Sequence, residues 1–181
     1  MIDRTRFPVD PWRLVERRQR REGPPIEETL FAIGNGYLGM RANAADGRRA
    51  YEHGTFVNGL HETYRIHHAE QAFGFAEVGQ EMITAPDPKV IRLYVDDEPL
   101  NAELSEFVEY EQVLDFRSGL LSRRVLWRTP SGKRVRVVAT RMISFVERHV
   151  ALLTFEVELL DAGAPVTISS QLLNRQDEQT E

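Results

Sequence analysis

Cysteine is absent from the 181 residues, so no disulfide framework can hold this chain together. Apolar runs long enough to cross a bilayer are also missing, and the opening Met1-Ile2-Asp3-Arg4-Thr5-Arg6 lacks the apolar centre of a secretory signal. Those absences point to a soluble protein, with the cytoplasm as its expected location and no membrane partner. Positive charge is in deficit: 23 Lys and Arg against 28 Asp and Glu give a formal net charge of -5. A general nucleic-acid binder needs the opposite balance, so no nucleic-acid partner is expected. The run Arg17-Arg18-Gln19-Arg20-Arg21 lies beside Glu16 and Glu22 and reads as a solvated charged face. What the chain does have is 41% apolar residues, enough to bury a core, and no linker-like stretch dividing it. A single domain over 1–181 is therefore expected.

Side-chain periodicity runs at two rather than 3.6. Ala151, Leu153, Phe155 and Val157 alternate with Thr154, Glu156 and Glu158, and Val135, Val137 and Ala139 alternate with Arg134, Arg136 and Val138. Val166, Ile168, Ser170 and Leu172 alternate in the same way with Thr167, Ser169 and Gln171. Each is the pattern of a half-buried strand. Thr129-Pro130-Ser131-Gly132-Lys133 supplies the proline and glycine of a hairpin turn, so 121–128 and 134–143 should pair directly. Val90 to Val95 ends at the charged turn Asp96-Asp97-Glu98-Pro99, and Ala162-Gly163-Ala164-Pro165 separates the last two strands. Many short strands with frequent turns predict an all-β fold, an antiparallel two-sheet sandwich. Helix is expected only in minor short pieces, at Pro11 to Arg21 and at Ala69 to Phe75.

Gly34, Gly36 and Gly39 match the G-x-G-x-x-G spacing of a dinucleotide fingerprint, with 29–33 as the strand before it. The context fails. Only Met40 to Ala45 follow before the turn signal Asp46-Gly47, too short for a crossover helix, and no Asp or Glu closes the ribose position near Gly59. Gly34-Asn35-Gly36 instead suits a hairpin with positive φ, from which Tyr37 and Leu38 open the next strand.

As an ordered set, Glu28-Thr29-Leu30-Phe31, Gly34-Asn35-Gly36-Tyr37-Leu38-Gly39-Met40-Arg41, Gly54-Thr55-Phe56-Val57-Asn58-Gly59 and Ile91-Arg92-Leu93-Tyr94-Val95-Asp96-Asp97-Glu98-Pro99 resemble the amino-terminal region of glycoside hydrolase family 65. Maltose, trehalose and kojibiose phosphorylases belong to that family. Matches at Leu114-Asp115-Phe116-Arg117, Thr129 to Val135, Arg148-His149 and Ser169-Ser170-Gln171-Leu172 carry the resemblance nearly end to end. It implies a two-sheet super-sandwich shaped like galactose mutarotase, preceding a catalytic helical barrel that is absent from this chain. It also implies a full enzyme acting on an α-glucosyl disaccharide, with inorganic phosphate as co-substrate in a phosphorylase and with the catalytic acid and phosphate-binding residues in the barrel. The role implied for this chain is that of a companion with no catalytic residue and no cofactor of its own, packing on the barrel, supporting the active-site rim and a homodimer. The family's sandwich continues with more strands before its barrel. A chain closing at Asn174 to Glu181 is accordingly expected to be truncated, with an unpaired edge or an exposed apolar face and a tendency to self-associate.

The residues themselves offer limited chemistry. Inverting glycoside cleavage needs a carboxylic acid at the leaving oxygen, and in a phosphorylase the phosphate attacks the opposite face. Glu27-Glu28, Asp96-Asp97-Glu98, Glu109 and Glu111 fall in expected turns or on polar strand faces, where water keeps them ionised, and read as surface. His61, His67 and His68 lie near Glu62 and Glu70, but adjacent His67-His68 meet neither helical nor strand ligand spacing, so no metal is expected. Asn58, His61 and Glu62 stand as the substrate-adjacent candidates. His61 with Glu62 also leaves open mutarotase-like proton exchange, the reading of an aldose epimerase, and a free-standing carbohydrate-binding module is the other alternative. Tyr51, Phe56, Tyr64, Phe73 and Phe75 crowd one segment, where they can stack on sugar rings or, as expected, pack at the sandwich end. That segment, Glu52 to Glu81, is too irregular for plain strands and is the expected reach toward a neighbouring catalytic domain.

Overall fold

The computed structural model describes residues 3–18, 25–43, 53–101, 105–161 and 163–174. In chain order the elements are β1 (Arg13–Glu16), α1 (Pro25–Leu30), β2 (Ile33–Gly34), β3 (Leu38–Met40), β4 (Thr55–Val57), β5 (His61–Arg65) and β6 (Val78–Met82). There follow β7 (Asp87–Val95), β8 (Glu98–Pro99), β9 (Glu106–Asp115), β10 (Leu120–Arg128), β11 (Arg134–Ile143), β12 (Ala151–Leu159) and β13 (Val166–Leu173). The fold is all-β and every strand pairing is antiparallel, as the alternation predicted.

A five-stranded sheet in the order β1-β9-β10-β11-β12 is packed against a three-stranded sheet in the order β13-β7-β8. Leu93, Val95 and Leu100 from one layer meet Val125, Trp127, Val135 and Val137 from the other, and Trp127, Val95 and Val135 have no exposed surface. Val125 lies opposite Val137 and Trp127 opposite Val135, so the period of two puts all four on the face that meets the second layer. The opposite face of these strands is mostly charged, with Leu126 buried among the charged residues. Arg124, Arg128, Arg134 and Arg136 occupy the middle strands, with Glu109 and Glu111 of β9 on one flank and Glu156 and Glu158 of β12 on the other. Arg136 pairs with Glu158 across that boundary. Two smaller sheets, β2-β3-β4 and the hairpin β5-β6, complete the pairing, so the architecture holds more than the two sheets expected.

The hairpin read at Gly34-Asn35-Gly36 is present, and one side chain explains it. Asn35 Oδ1 accepts from the amides of Tyr37 (2.9 Å) and Leu38 (2.8 Å), while Gly36 takes the positive φ of 87 that the turn requires. Asn35 Nδ2 donates to the carbonyls of Ser144 (2.6 Å) and Arg148 (3.0 Å), which fastens the β11–β12 connection to this hairpin. His149 then meets Tyr37 edge to face at 4.5 Å, and the Arg148 guanidinium lies 5.2 Å from the same ring. The turn signal at 46–47 falls outside the described residues.

Neither expected helix forms where it was read. Arg13–Glu16 is a strand, paired with β9 from Arg13↔Asp115 to Glu16↔Gln112, because this edge position satisfies the backbone and buries Val15 and Glu16. Residues 19–21 of that reading lie outside the described residues. Ala69 to Phe75 is an irregular loop, with Gly74 left-handed at φ 87. Helix occurs instead at Pro25–Leu30, where Pro25 starts the turn and Glu27 and Glu28 face its positive end. Glu27 is therefore not the solvated residue expected: it is buried, and the guanidinium of Arg6 joins it to Glu16.

The sandwich is open on one side. Val166 and Ile168 of β13 lie opposite Val95 and Leu93, on the core face of their sheet, yet they are 39% and 48% exposed, and Leu172 is 69% exposed. On the facing sheet Phe155, Val157 and Leu159 of β12 turn the same way and are only partly covered. Among the described residues each of these strands has one sheet neighbour, so both edges are unpaired there.

Candidate functional site

The segment 52–81, expected to be irregular, contains three strands. After β4 the chain turns at Gly59, φ 93, and runs out as the β5-β6 hairpin in a register from His61↔Met82 to Arg65↔Val78. Its root is tied down by backbone bonds from Leu60 to Val57 (3.1 Å), Ile83 to Leu60 (3.2 Å) and Ala85 to Thr55 (2.7 Å). Beyond the root nearly every residue of both strands is exposed, and the hairpin projects as an arm. Gly79 is the exception with a visible reason. A Cβ there would stand 2.5 Å from the Tyr64 ring, so the absent side chain lets the ring lie across the ribbon.

The three candidate residues sit at the base of this arm and do different things. Asn58 is bound to the β2–β3 turn: its amide donates to the Tyr37 carbonyl at 2.8 Å and its Nδ2 to the Gly36 carbonyl at 3.2 Å. His61 opens β5 and is half-buried, while Glu62 is exposed. As successive strand residues, His61 and Glu62 leave the ribbon on opposite faces, so the structure does not bring imidazole and carboxylate to one sugar ring. The geometry needed for epimerase-like proton exchange is missing at this pair. Glu62 instead stands directly across from Glu81. Like charges in that position destabilise a hairpin, and Glu81→Lys is expected to strengthen the arm by about 0.2–1 kcal/mol. Slower amide exchange across 61–65 and 78–82, at unchanged rates in β9 to β12, is the measurement that checks it.

The aromatic residues were expected to pack at the sandwich end, and three of them stand largely exposed on the arm instead. Tyr64 and Phe75 are more than half exposed and Phe73 is fully exposed; Phe56 is half-buried in β4, and Tyr51 lies outside the described residues. Phe73 and Phe75 belong to the loop at the arm's tip, together with His67, His68, Gln71 and Glu77, around a half-open cavity of about 330 Å³. Among the described residues no group of three or more His, Asp or Glu is placed to hold a metal ion.

A buried polar cluster near the arm's root was not read from the sequence. Lys89, 1% exposed, donates from Nζ to the Thr55 hydroxyl (2.7 Å) and the Gly54 carbonyl (3.1 Å), and pairs with Asp87 Oδ1 at 2.7 Å. His53 Nδ1 lies 3.4 Å from Asp87 Oδ2. Burial pushes the Asp87 carboxyl up, but the hydrogen bond and charge of Lys89, with a smaller charge effect of His53, hold it below 3.8 overall. The visible signal was Asp87-Pro88-Lys89, two opposite charges one residue apart at the start of an apolar strand. The cluster joins β7 to β4, so it fixes the base from which the arm departs.

Residues 14–181 match the family model described as glycosyl hydrolase family 65, N-terminal domain. An uncharacterised glycosyl hydrolase of Mycobacterium leprae is 38% identical over 178 residues, which cover 98% of this chain and 22% of that protein. The alpha,alpha-trehalose phosphorylase of Thermoanaerobacter brockii is 33% identical over 165 residues, 87% of this chain and 21% of the relative. Among solved structures, a "Putative kojibiose phosphorylase from human microbiome" superposes with a TM-score of 0.81 at 24% identity, over 92% of this chain and 22% of the other, and so shares the fold. The chain thus spans about a fifth of the length of the relatives it matches.

Proposed function

Because the chain belongs to glycosyl hydrolase family 65, we propose that it serves as the non-catalytic amino-terminal domain of a phosphorylase or hydrolase acting on an α-linked glucose disaccharide. The open side of the sandwich packs on a catalytic helical barrel elsewhere in the longer protein, the arm supports the rim of its active site, and two such proteins pair as a homodimer in the cytoplasm. Inorganic phosphate, in a phosphorylase, is held by the barrel. The observation that carries this reading is the uncovered core face of Val166, Ile168 and Leu172 beside Phe155, Val157 and Leu159, an apolar surface of the kind that marks an interface. Trehalose phosphorylase among the relatives supports the substrate class.

Two measurements test it. Given trehalose, maltose or kojibiose with inorganic phosphate, the chain alone should release no glucose phosphate, and turnover above buffer would overturn the assignment. Light scattering should show association that rises with concentration and falls in Ile168→Lys. A monomer at every concentration removes the open side as the docking face.

A further inference from the structure

The loop at the tip of the arm is held in shape by its own hydrogen bonds. The Ile66 amide donates to the Glu77 carbonyl (2.9 Å), His68 Nε2 to the Ala76 carbonyl (2.7 Å) and the Phe75 amide to the Ala72 carbonyl (3.2 Å). Gly74 at φ 87 supplies the left-handed residue of the last turn. The rings of His68 and Phe75 lie 5.0 Å apart at 52°, which sets the orientation of Phe75. The loop therefore surrounds its cavity of about 330 Å³ as a pre-formed feature, and among the described residues it leaves Phe73 fully exposed and more than half of Phe75 in water.

The lining selects among ligands. Among the described residues no Lys or Arg contributes to it, so a phosphate or carboxylate would enter with no counter-charge from them. A divalent cation would find the single carboxylate of Glu77 where it needs several oxygen ligands. A neutral polyol meets both halves of the wall: the Gln71 amide donates and accepts, Glu77 accepts, His67 does either, and a phenyl face covers the apolar face of a sugar ring. We propose that this cavity binds one ring of a neutral hexopyranoside, stacked on Phe75, flanked by Phe73, and held through its hydroxyls by His67, Gln71 and Glu77. The site is separate from Asn58, His61 and Glu62 and does not depend on the companion role, since it is complete in this chain.

Titration of the 181-residue chain with maltose, trehalose and kojibiose, followed by amide and imidazole NMR signals, tests the site. Saturable shifts confined to 66–77 are expected, with Kd on the order of millimolar. Phe75→Ala should weaken binding about tenfold, the loss expected from one aromatic contact, while Phe75→Tyr retains it. Unchanged signals from β9 to β12 establish that each variant is folded. Absence of saturation at about a hundred times that Kd, shifts centred elsewhere, or shifts that persist in Phe75→Ala would each overturn the site. Glucose 1-phosphate binding more tightly than the neutral sugars would do the same. A failure here leaves the companion role standing, because that role is read by self-association and activity.

Discussion

Trp127→Ala is expected to lower stability by about 3–5 kcal/mol, the largest effect of any single substitution in the core. The indole is completely buried at the centre of the cluster formed by Leu93, Val95, Leu100, Val125, Val135 and Val137, which comes from both layers. Alanine leaves a void that neither sheet can close, since each is held in register by its own ladder. Domains of this size have only about 5–15 kcal/mol to lose, so the variant should approach the unfolding threshold at room temperature. Trp127→Phe separates volume from polarity. Among the described residues the indole N–H has no acceptor, so removing it forfeits no hydrogen bond, and the phenyl ring refills part of the volume, so the cost should be smaller than that of alanine. Urea unfolding of the three proteins, read by far-ultraviolet circular dichroism, decides the matter; equal midpoints for Trp127→Ala and the parent would show that the core does not sit where it is described.

Lys89→Met should be next in size, about 3–5 kcal/mol at neutral pH, because it leaves Asp87 charged and buried without its principal partner. The pH dependence gives the variant a signature that packing loss alone lacks. In the parent, the Asp87 carboxyl is held below 3.8, so its contribution is fully present above that value and is lost as pH falls through the lower folded value. Without the Lys89 ammonium, the burial that pushes the carboxyl up is opposed less, so the folded pKa rises relative to the parent. Protonation then relieves the variant, and the stability gap between the two proteins should narrow from pH 7 toward pH 3. A gap that is constant over this range would mean that Asp87 is not the group left uncompensated.

Much of this architecture was legible because strands announce themselves twice, through alternation and through their turns. Val135 and Val137 against Arg134 and Arg136 gave both the strand and its buried face, and Thr129 to Lys133 gave the hairpin that joins β10 to β11. Segments that depend on distant partners were not legible. Pro11 to Arg21 carried a proline suited to a helix start, and the edge of β9 makes a strand of Arg13–Glu16 instead. Glu27 looked like surface because its partner, Arg6, lies far back in the chain, and nothing local marks Lys89 as buried, since Thr55 and Gly54 come to it only in the fold. That several aromatic residues gather on one segment was readable from the sequence. Their exposure was not, since a single sequence gives no means of telling a phenyl ring that packs from one that waits in solvent.

Among the described residues, the arm is fastened to the body through short backbone bonds at its root, between Leu60, Ile83, Ala85 and strand β4. Whatever happens along 62–81 is thus mechanically insulated from the layers beneath. Length, charge and tip composition can drift there under selection for a new ligand or neighbour without retuning the scaffold, which makes this hairpin the part of the domain through which members of one fold can diverge.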